Sequence, residues 1–493
     1  MKKIIFCFLF FTLFCLIPCC DKLEYVPVDQ LSNESISQNR ELLKNVTIGS
    51  YSRIRESNYV RLRHFMQELP GDDLAWCKQS GDHLNNTYGY LHLVNSTASL
   101  NFWRQAYYGI YSTNRVIESI DSNDTPEMLQ LKGENLFLRA LMHYDLVRIF
   151  SRPYSQNPET NLGIMIRDKT EIELPSRSTV EETFKFIEND LLESAKLMTE
   201  KKSSIYASKE VAWALLSRLY LYMGEYSKAI EFANEVINSE RYSLIPTNQL
   251  ASYYTIVPEN NNETIFAVKF RTSENLGKQG IGSLYHEDGG WGEIYVSTSY
   301  LKLIYQNTND ERIKFIQPKY SLDNQGNKIP DVSEVSGFKV EKREGYSKYF
   351  NLKYTLQDGV KMLASPVILR LAEMYLIKAE AYAKTPGMED QALEMVNVIR
   401  KRAGLTGNQL FSRSNLKGYQ SVLDIVLDER RLELAWEGHR SYDLFRNNQT
   451  LKRDYTFGES FAGPSTIPPT SPRIVHYIPE IEITLNPNLV QNP

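Results

Sequence analysis

Residues 206–244, YASKEVAWALLSRLYLYMGEYSKAIEFANEVINSERYSL, constrain the fold more than any other stretch, because they encode two helices that need company to be stable. The pattern predicts a first helix over Lys209–Met223 with Ser208 as its N-cap, whose hydroxyl can accept from a free backbone N–H. This helix is apolar on nearly every side, which is the signature of a buried one. Gly224 ends it, since glycine tolerates the left-handed geometry of a helix terminus. The second helix starts near Ser227. Ala229, Ile230, Ala233, Val236 and Ile237 share one face, and Lys228, Glu231, Glu235 and Asn238 share the other, as in a half-buried helix. Ala212, Ala214, Ala229 and Ala233 are small enough to let the two helices approach closely.

A buried helix followed by an amphipathic partner resembles a tetratricopeptide hairpin, and such a unit requires stacked neighbours. The chain supplies them. A helix is expected at about Arg40 to Glu56. Helical spacing returns in NFWRQAYYGIYSTNRVIESI, where Ala106, Ile110, Asn114 and Ile117 recur on one face. Thr125 and Pro126 open a helix that runs to about Phe150, proline suiting the first turn. Ser178 to Glu181 reads as a capping box for the helix containing FKFIENDLLESAKLM. Later, VILRLAEMYLIKAEAYAK and DQALEMVNVIRKRAGL form another hairpin with Pro386 and Gly387 at its bend. A further helix spans about Gln420 to Glu437 and ends near Gly438. The expected fold is mainly α: four tetratricopeptide-like hairpins in one domain over 40–493, with long loop-rich excursions. The largest excursion, 245–360, carries turn residues and a few short strands such as TIFAVKF. Within it, Asp323–Asn327 reads as a β-turn and lacks the full ligand spacing of a calcium loop.

The N-terminus differs from the rest. Lys2 and Lys3 precede the apolar run Ile4–Ile17, too short to span a membrane comfortably, and Pro18, Cys19, Cys20 and Asp21 end it. This is a secretory signal over residues 1–20. LIPCC resembles the lipobox of bacterial lipoproteins, with Cys20 as the lipidated residue and Cys19 as the alternative. Residues 21–39 then form a polar tether. Of five cysteines, four lie in or at the end of the signal, which leaves Cys77 without an intramolecular partner. No later stretch is apolar enough to cross a membrane, so contact with one is expected through the lipid anchor alone.

A net charge of −4 gives no support for nucleic-acid binding, which needs a basic face. The seven histidines show no HExxH spacing and no cysteine companions, so neither a metal nor a cofactor is expected. No GxSxG, phosphate loop or GxGxxG is present. Glu429, Glu433 and Glu437 fall on one helix face, where pairing with Arg430, Arg431, Arg440 and Arg446 would give an ionic lattice. A glycosidase carboxylate pair is not excluded by sequence. Aromatic residues make up 12% of the chain, enough to supply binding surfaces as well as core. Trp103, Trp213 and Trp436 lie in helices and are assigned to the core. Trp76 and Trp291 lie in irregular segments beside polar and aromatic neighbours. A sugar ring could stack its C–H face there and present its hydroxyls to Asn, Asp and Arg. A peptide would rely more on backbone hydrogen bonds. The candidate ligand-binding residues are Trp76, Asp82, Asn85, Tyr88, Tyr285, Trp291 and Tyr295, with no catalytic residue.

Several segments taken in series resemble the SusD/RagB family of outer-membrane lipoproteins from Bacteroidetes. They are Cys20 with Asp21-Lys22-Leu23, Gly133-Glu134 with Phe137–Ala140, Asp190-Leu191 with Ala195, and Gly224–Tyr226 with Ala229. In the second half they are RLAEMYLIKAEA (370–381), IRKRAGL (399–405), DERRLELAWEGHRSYDLFR (428–446) and the ending IPEIEITLNPNLVQNP (478–493). The resemblance implies a non-catalytic, exterior-facing lipoprotein of the outer membrane. It would capture oligosaccharides, or oligopeptides as the alternative, and cap a SusC-like TonB-dependent transporter. It also implies a ligand surface drawn from the loops around Trp76 and Trp291. A surface glycan hydrolase and a pure assembly module are the competing readings.

Overall fold

The computed structural model describes residues 39–77, 83–453 and 463–493. The expected signal, Cys20, the tether up to residue 38 and Asp82 lie outside these residues.

Ten long helices carry most of the regular structure of the described residues. They are α1 (Arg40–Arg55), α2 (Ser57–Glu68), α3 (Thr97–Glu118), α4 (Pro126–Phe150), α5 (Val180–Leu197), α6 (Lys209–Met223) and α7 (Tyr226–Asn238). After the excursion come α8 (Leu371–Ala383), α9 (Glu389–Arg402) and α10 (Val422–Leu434). Each of α3 to α9 packs on the next, so the stack is continuous, and α10 closes on α8 and α9. No helix among the described residues is long and apolar enough to cross a membrane.

The hairpin at 206–244 forms as its pattern requires. Ala212, Ala214, Ala229 and Ala233 are fully buried at the α6–α7 contact, and Ser217 Oγ donates to Ala229 O across it at 2.9 Å. Gly224 adopts φ +81° at the turn. Ser208 precedes α6 but does not cap it: its hydroxyl donates to Glu210 at 2.8 Å instead. The capping box before α5 is shifted by one residue, with Thr179 as the cap and Glu182 reaching back. The helix expected to end at Glu56 breaks there, and α2 continues directly after it.

The excursion is closed at its neck. TIFA (β2, Thr264–Ala267) pairs antiparallel with Val367–Arg370, so VILR is a strand where a helix was expected. Ile265, Phe266 and Leu369 are buried in this ladder, which explains why β-branched residues override the helical spacing that follows. Closing the neck lets α7 and α8 pack directly although more than 130 residues separate them. Asp323 makes the expected turn: its Oδ1 accepts from the Gln325 and Asn327 amides at 2.9 and 2.8 Å.

The glutamates of the 428–446 segment are indeed in an ionic lattice, but with different partners. Glu429 accepts from Arg312 and Arg400 at 2.7 and 2.8 Å. Glu433 accepts from Arg312, Arg370 and Arg402. Glu437 accepts from Arg370 and Lys353 at 2.8 and 2.7 Å. The arginines of the same segment turn elsewhere: Arg430 to Asp443, Arg431 to Asp73, Arg440 to Asp72 and Arg446 to Glu380. Neighbours in a helix point in different directions, so the two sets face different partners. Burial alone would raise the Glu433 carboxyl, but the guanidiniums of Arg402, Arg370 and Arg312 hold it well below the usual range.

Two stability outcomes follow. Glu433→Ala leaves three buried guanidiniums short of a partner and should cost about 3–5 kcal/mol in urea unfolding, whereas Glu389→Ala on the surface should leave the unfolding midpoint close to wild type. Gly224→Ala forces a side chain into left-handed geometry with no steric clash, so the expected loss is about 1–2 kcal/mol by the same measurement.

Candidate functional site

The two loop regions expected to share a ligand surface are brought together by a short ladder. Leu74–Trp76 (β1) pairs antiparallel with Ile294–Val296 (β3), placing Ala75 opposite Tyr295 and Trp76 opposite Ile294. The Cys77 amide extends the ladder by donating to Glu293 O at 2.9 Å. Cys77 itself is buried and free, and burial pushes its thiol upward.

Most of the aromatic side chains expected at this surface are packed inward. Trp76 and Tyr88 are buried together with ring centroids 6.3 Å apart, and the Arg453 guanidinium lies 4.1 Å from the centroid of Tyr88. Tyr285 is buried between His64 and Tyr354, and its hydroxyl meets His64 Nε2 at 2.7 Å. Tyr295 is buried edge-on to Phe350. Asn85 is half-buried on the short helix His83–Tyr88. Trp291 is different: its side chain is 49% exposed. Among the tryptophans assigned to the core, Trp103 and Trp436 are buried, and Trp213 is partly so.

The turn that presents Trp291 is locked by its backbone. The amides of Trp291 and Gly292 both donate to Ser283 O, at 2.5 and 3.1 Å. Gly292 has φ +54°, and a Cβ there would sit 2.6 Å from Glu287 Cβ, so no larger residue fits without rearrangement. Lys278 Nζ lies 4.5 Å from the Trp291 ring centroid. His286, Asp288 and Arg343 stand on the same stretch and its neighbour, the last donating to the Gly292 carbonyl at 3.3 Å. The result is a half-exposed indole with Lys278 against its ring and Arg343 on the carbonyl of the following residue.

Asp72, Glu287 and Asp288, near this surface, are committed to ion pairs, while burial holds the Asp73 carboxyl above its ordinary range. Burial would raise the Asp72 carboxyl, but Arg431 and Arg440 hold it below the ordinary range. Glu287 pairs with Lys319 and Lys348, and Asp288 pairs with Lys361 at 2.7 Å. Arg453 is a structural residue that sequence reasoning missed. It is fully buried and donates to the carbonyls of Leu69, Gly71 and Tyr88, stapling both ends of the loop that contains Trp76. No local pattern marks it, because its partners lie more than 360 residues away.

Family models, a related sequence and solved structures extend the resemblance. The described family model SusD-like_3, "starch-binding associating with outer membrane", matches residues 23–221, and the SusD family model matches residues 304–493. The chain belongs to the SusD/RagB family. It is 26% identical over 516 residues to SusD-like protein P2 of Formosa agariphila, covering 96% of each chain. A SusD superfamily protein from Bacteroides thetaiotaomicron superposes with TM-score 0.79 at 27% identity, covering 92% of this chain and 99% of the other. One from Bacteroides vulgatus superposes with TM-score 0.78 at 28% identity, covering 92% and 98%. The mainly helical fold is thus that of the SusD superfamily.

The buried histidines of this SusD-family chain give it a pH dependence. Burial first, then the charges of Arg63 and Arg61, push His64 down to about 3. Burial also pushes His143 down to about 3, with its Nδ1 against Arg139 O and its Nε2 accepting from the Arg167 amide. Unfolding returns both to the ordinary value of 6.5, so between about pH 6.5 and 3 the unfolded chain binds protons that the folded chain refuses. This stability is fully present above pH 6.5 and is lost as pH falls, at about 1.4 kcal/mol per pH unit for each histidine. The thermal midpoint should therefore drop between pH 7 and pH 5, and His143→Gln should flatten that drop in calorimetry. An imidazole NMR titration of His64 in the same range would contradict the assignment.

Proposed function

We propose that this SusD-family protein is a non-catalytic, cell-surface binding lipoprotein. It captures oligosaccharides and hands them to a SusC-like TonB-dependent transporter in the outer membrane. Lipid on Cys20 anchors it, and the 21–39 tether lets the helical body reach its partner. The observation that carries the ligand assignment is the exposed Trp291 face on its locked turn, in a family described as starch-binding. An indole offers a flat apolar platform for the C–H face of a sugar ring. Lys278 and Arg343 beside it can donate to ring hydroxyls. The ion-paired state of Asp72, Glu287 and Asp288 favours binding over hydrolysis, since none of these carboxyls is poised to give a proton near neutral pH. Loops on a rigid frame often carry such sites.

The test is isothermal calorimetry of the full-length protein in mild detergent against neutral oligosaccharides of glucose, xylose, mannose and galactose, with mixed oligopeptides alongside. Heat with one saccharide class is expected, weakened about tenfold or more in Trp291→Ala, as befits an aromatic anchor. Heat with peptides alone would shift the assignment to an oligopeptide binder. Product formation on long incubation with a bound saccharide would overturn the non-catalytic reading. Extraction of the native membrane should bring down a large β-barrel with the protein, and a solitary protein would count against the transporter.

A further inference from the structure

A second aromatic surface lies far from Trp291 in the chain. Helix α3 turns Tyr108 and Tyr111 outward, 60% and 43% exposed, while Trp103 and Tyr107, which also line the groove, sink toward the core. They line one wall of a groove of about 590 Å³. The facing walls come from residues 165–175 and from the C-terminal segment around Glu482, Leu485 and Asn486. The volume falls within the roughly 300–1,000 Å³ typical of small-ligand sites.

The groove is preformed. Tyr107 Oη donates to Met165 O at 2.9 Å, and Asn114 Nδ2 donates to the carbonyls of Arg167 and Lys169, both at 3.1 Å. Asn486 and Asn488 then tie the C-terminal segment to the carbonyls of Pro175 and Leu174, at 2.9 and 2.7 Å. Both walls are therefore fixed before any ligand arrives, which is what a precise binding constellation needs.

The chemistry selects the occupant. Tyr108 and Tyr111 stand three residues apart on a helix, so their rings are offset by about 4.5 Å along the axis. Neither hydroxyl has a hydrogen-bond partner among the described residues, and both side chains are exposed. Peptide recognition by strand addition needs open backbone groups. Here the carbonyls of Met165, Arg167, Asp168, Lys169, Glu171, Glu173, Leu174 and Pro175 already accept side-chain hydrogen bonds. The rim charges nearly cancel: Arg104 meets Glu482 at 2.9 Å and Arg167 lies 3.9 Å from Glu173, which leaves Lys169 in excess. Two exposed aromatic rings beside a near-neutral rim suit an uncharged oligosaccharide.

We propose that the α3 groove is a second oligosaccharide-binding site, distinct from the Trp291 surface and holding adjacent sugar rings on Tyr108 and Tyr111. The proposal rests on the saccharide assignment above. It is tested by calorimetry of the full-length protein with the same panel, comparing Tyr108→Ala/Tyr111→Ala, Tyr108→Phe/Tyr111→Phe and Trp291→Ala. The wild type should show two sites per chain for the saccharide it binds. The alanine pair should lose one of them, with affinity there falling about tenfold or more, and the phenylalanine pair should keep it. Both side chains are exposed, so the thermal midpoint of the alanine pair should match wild type.

A single site that disappears in Trp291→Ala and survives in the alanine pair overturns the groove and leaves the first site standing. Unchanged stoichiometry and affinity in the alanine pair does the same. Peptide heat that the alanine pair abolishes overturns the saccharide assignment of the groove. Silence of the wild type toward every saccharide overturns both sites together.

Discussion

A buried ionic cluster centred on Glu433 holds the halves of this protein in register. Five carboxylates, on Glu263, Asp310, Glu429, Glu433 and Glu437, face five cations, on Arg312, Lys353, Arg370, Arg400 and Arg402. Almost all are removed from solvent. Bringing so many charges out of water is costly, and their mutual attraction repays that cost only when the geometry is nearly complete. The cluster is thus a poor source of surplus stability and a strong filter against wrong arrangements. Its members come from α9, α10, the strand before α8 and three separate points of the excursion. Any packing that misplaced one of these segments would strand a buried charge, at a penalty far above that of a misfitted apolar contact.

That division explains what could be read from sequence. The α6–α7 hairpin, its glycine turn, the opening of α4 at Pro126 and the bend at Gly387 depend on residues within a few positions of each other. Their periodicity and turn chemistry are local, so one sequence displays them. The partners of Glu429, Glu433 and Glu437 lie between 29 and 121 residues away, and nothing local announces them. The same limit applies to VILR. Alone it continues the helical pattern of α8, yet the ladder with Thr264–Ala267 makes it a strand in which Ile368 and Leu369 are buried. Thr179 in place of Ser178 as the cap of α5 is a smaller instance, a one-residue choice set by how the preceding segment bridges to Leu162.

Aromatic residues make the sharpest contrast. Sequence reasoning assigns tryptophans in helices to the core and aromatics in irregular segments to the surface. In the fold, Trp76, Tyr88, Tyr285 and Tyr295 sit in short or irregular elements and are buried, while Tyr108 and Tyr111 sit on a long helix and are exposed. The reason is mechanical. A loop-rich segment has little repetitive structure to anchor it, so its large rings are the anchors, driven inward by apolar area. A helix already anchored by Phe102, Trp103, Ala106 and Ile110 can spare its outer face. The signal for that face was present: Asn101, Arg104, Tyr108, Tyr111 and Arg115 recur with helical spacing opposite the apolar stripe. Tyrosines within a polar stripe are the anomaly, since a purely solvated face has no use for rings.

The two exposed aromatic surfaces also differ in how they are held. Trp291 rides on a turn fixed by Ser283 and by a glycine that admits no side chain, at the edge of a loop-rich excursion. Tyr108 and Tyr111 ride on a helix whose inner face is core and whose opposite wall is bolted down by Tyr107, Asn114 and Asn486. The locked turn keeps the ordering cost of binding at Trp291 small, and a groove between rigid walls keeps it small as well. In both places the nearby acids are already paired with lysine or arginine, so what each surface offers a sugar is ring faces and fixed hydrogen-bonding groups rather than a proton donor.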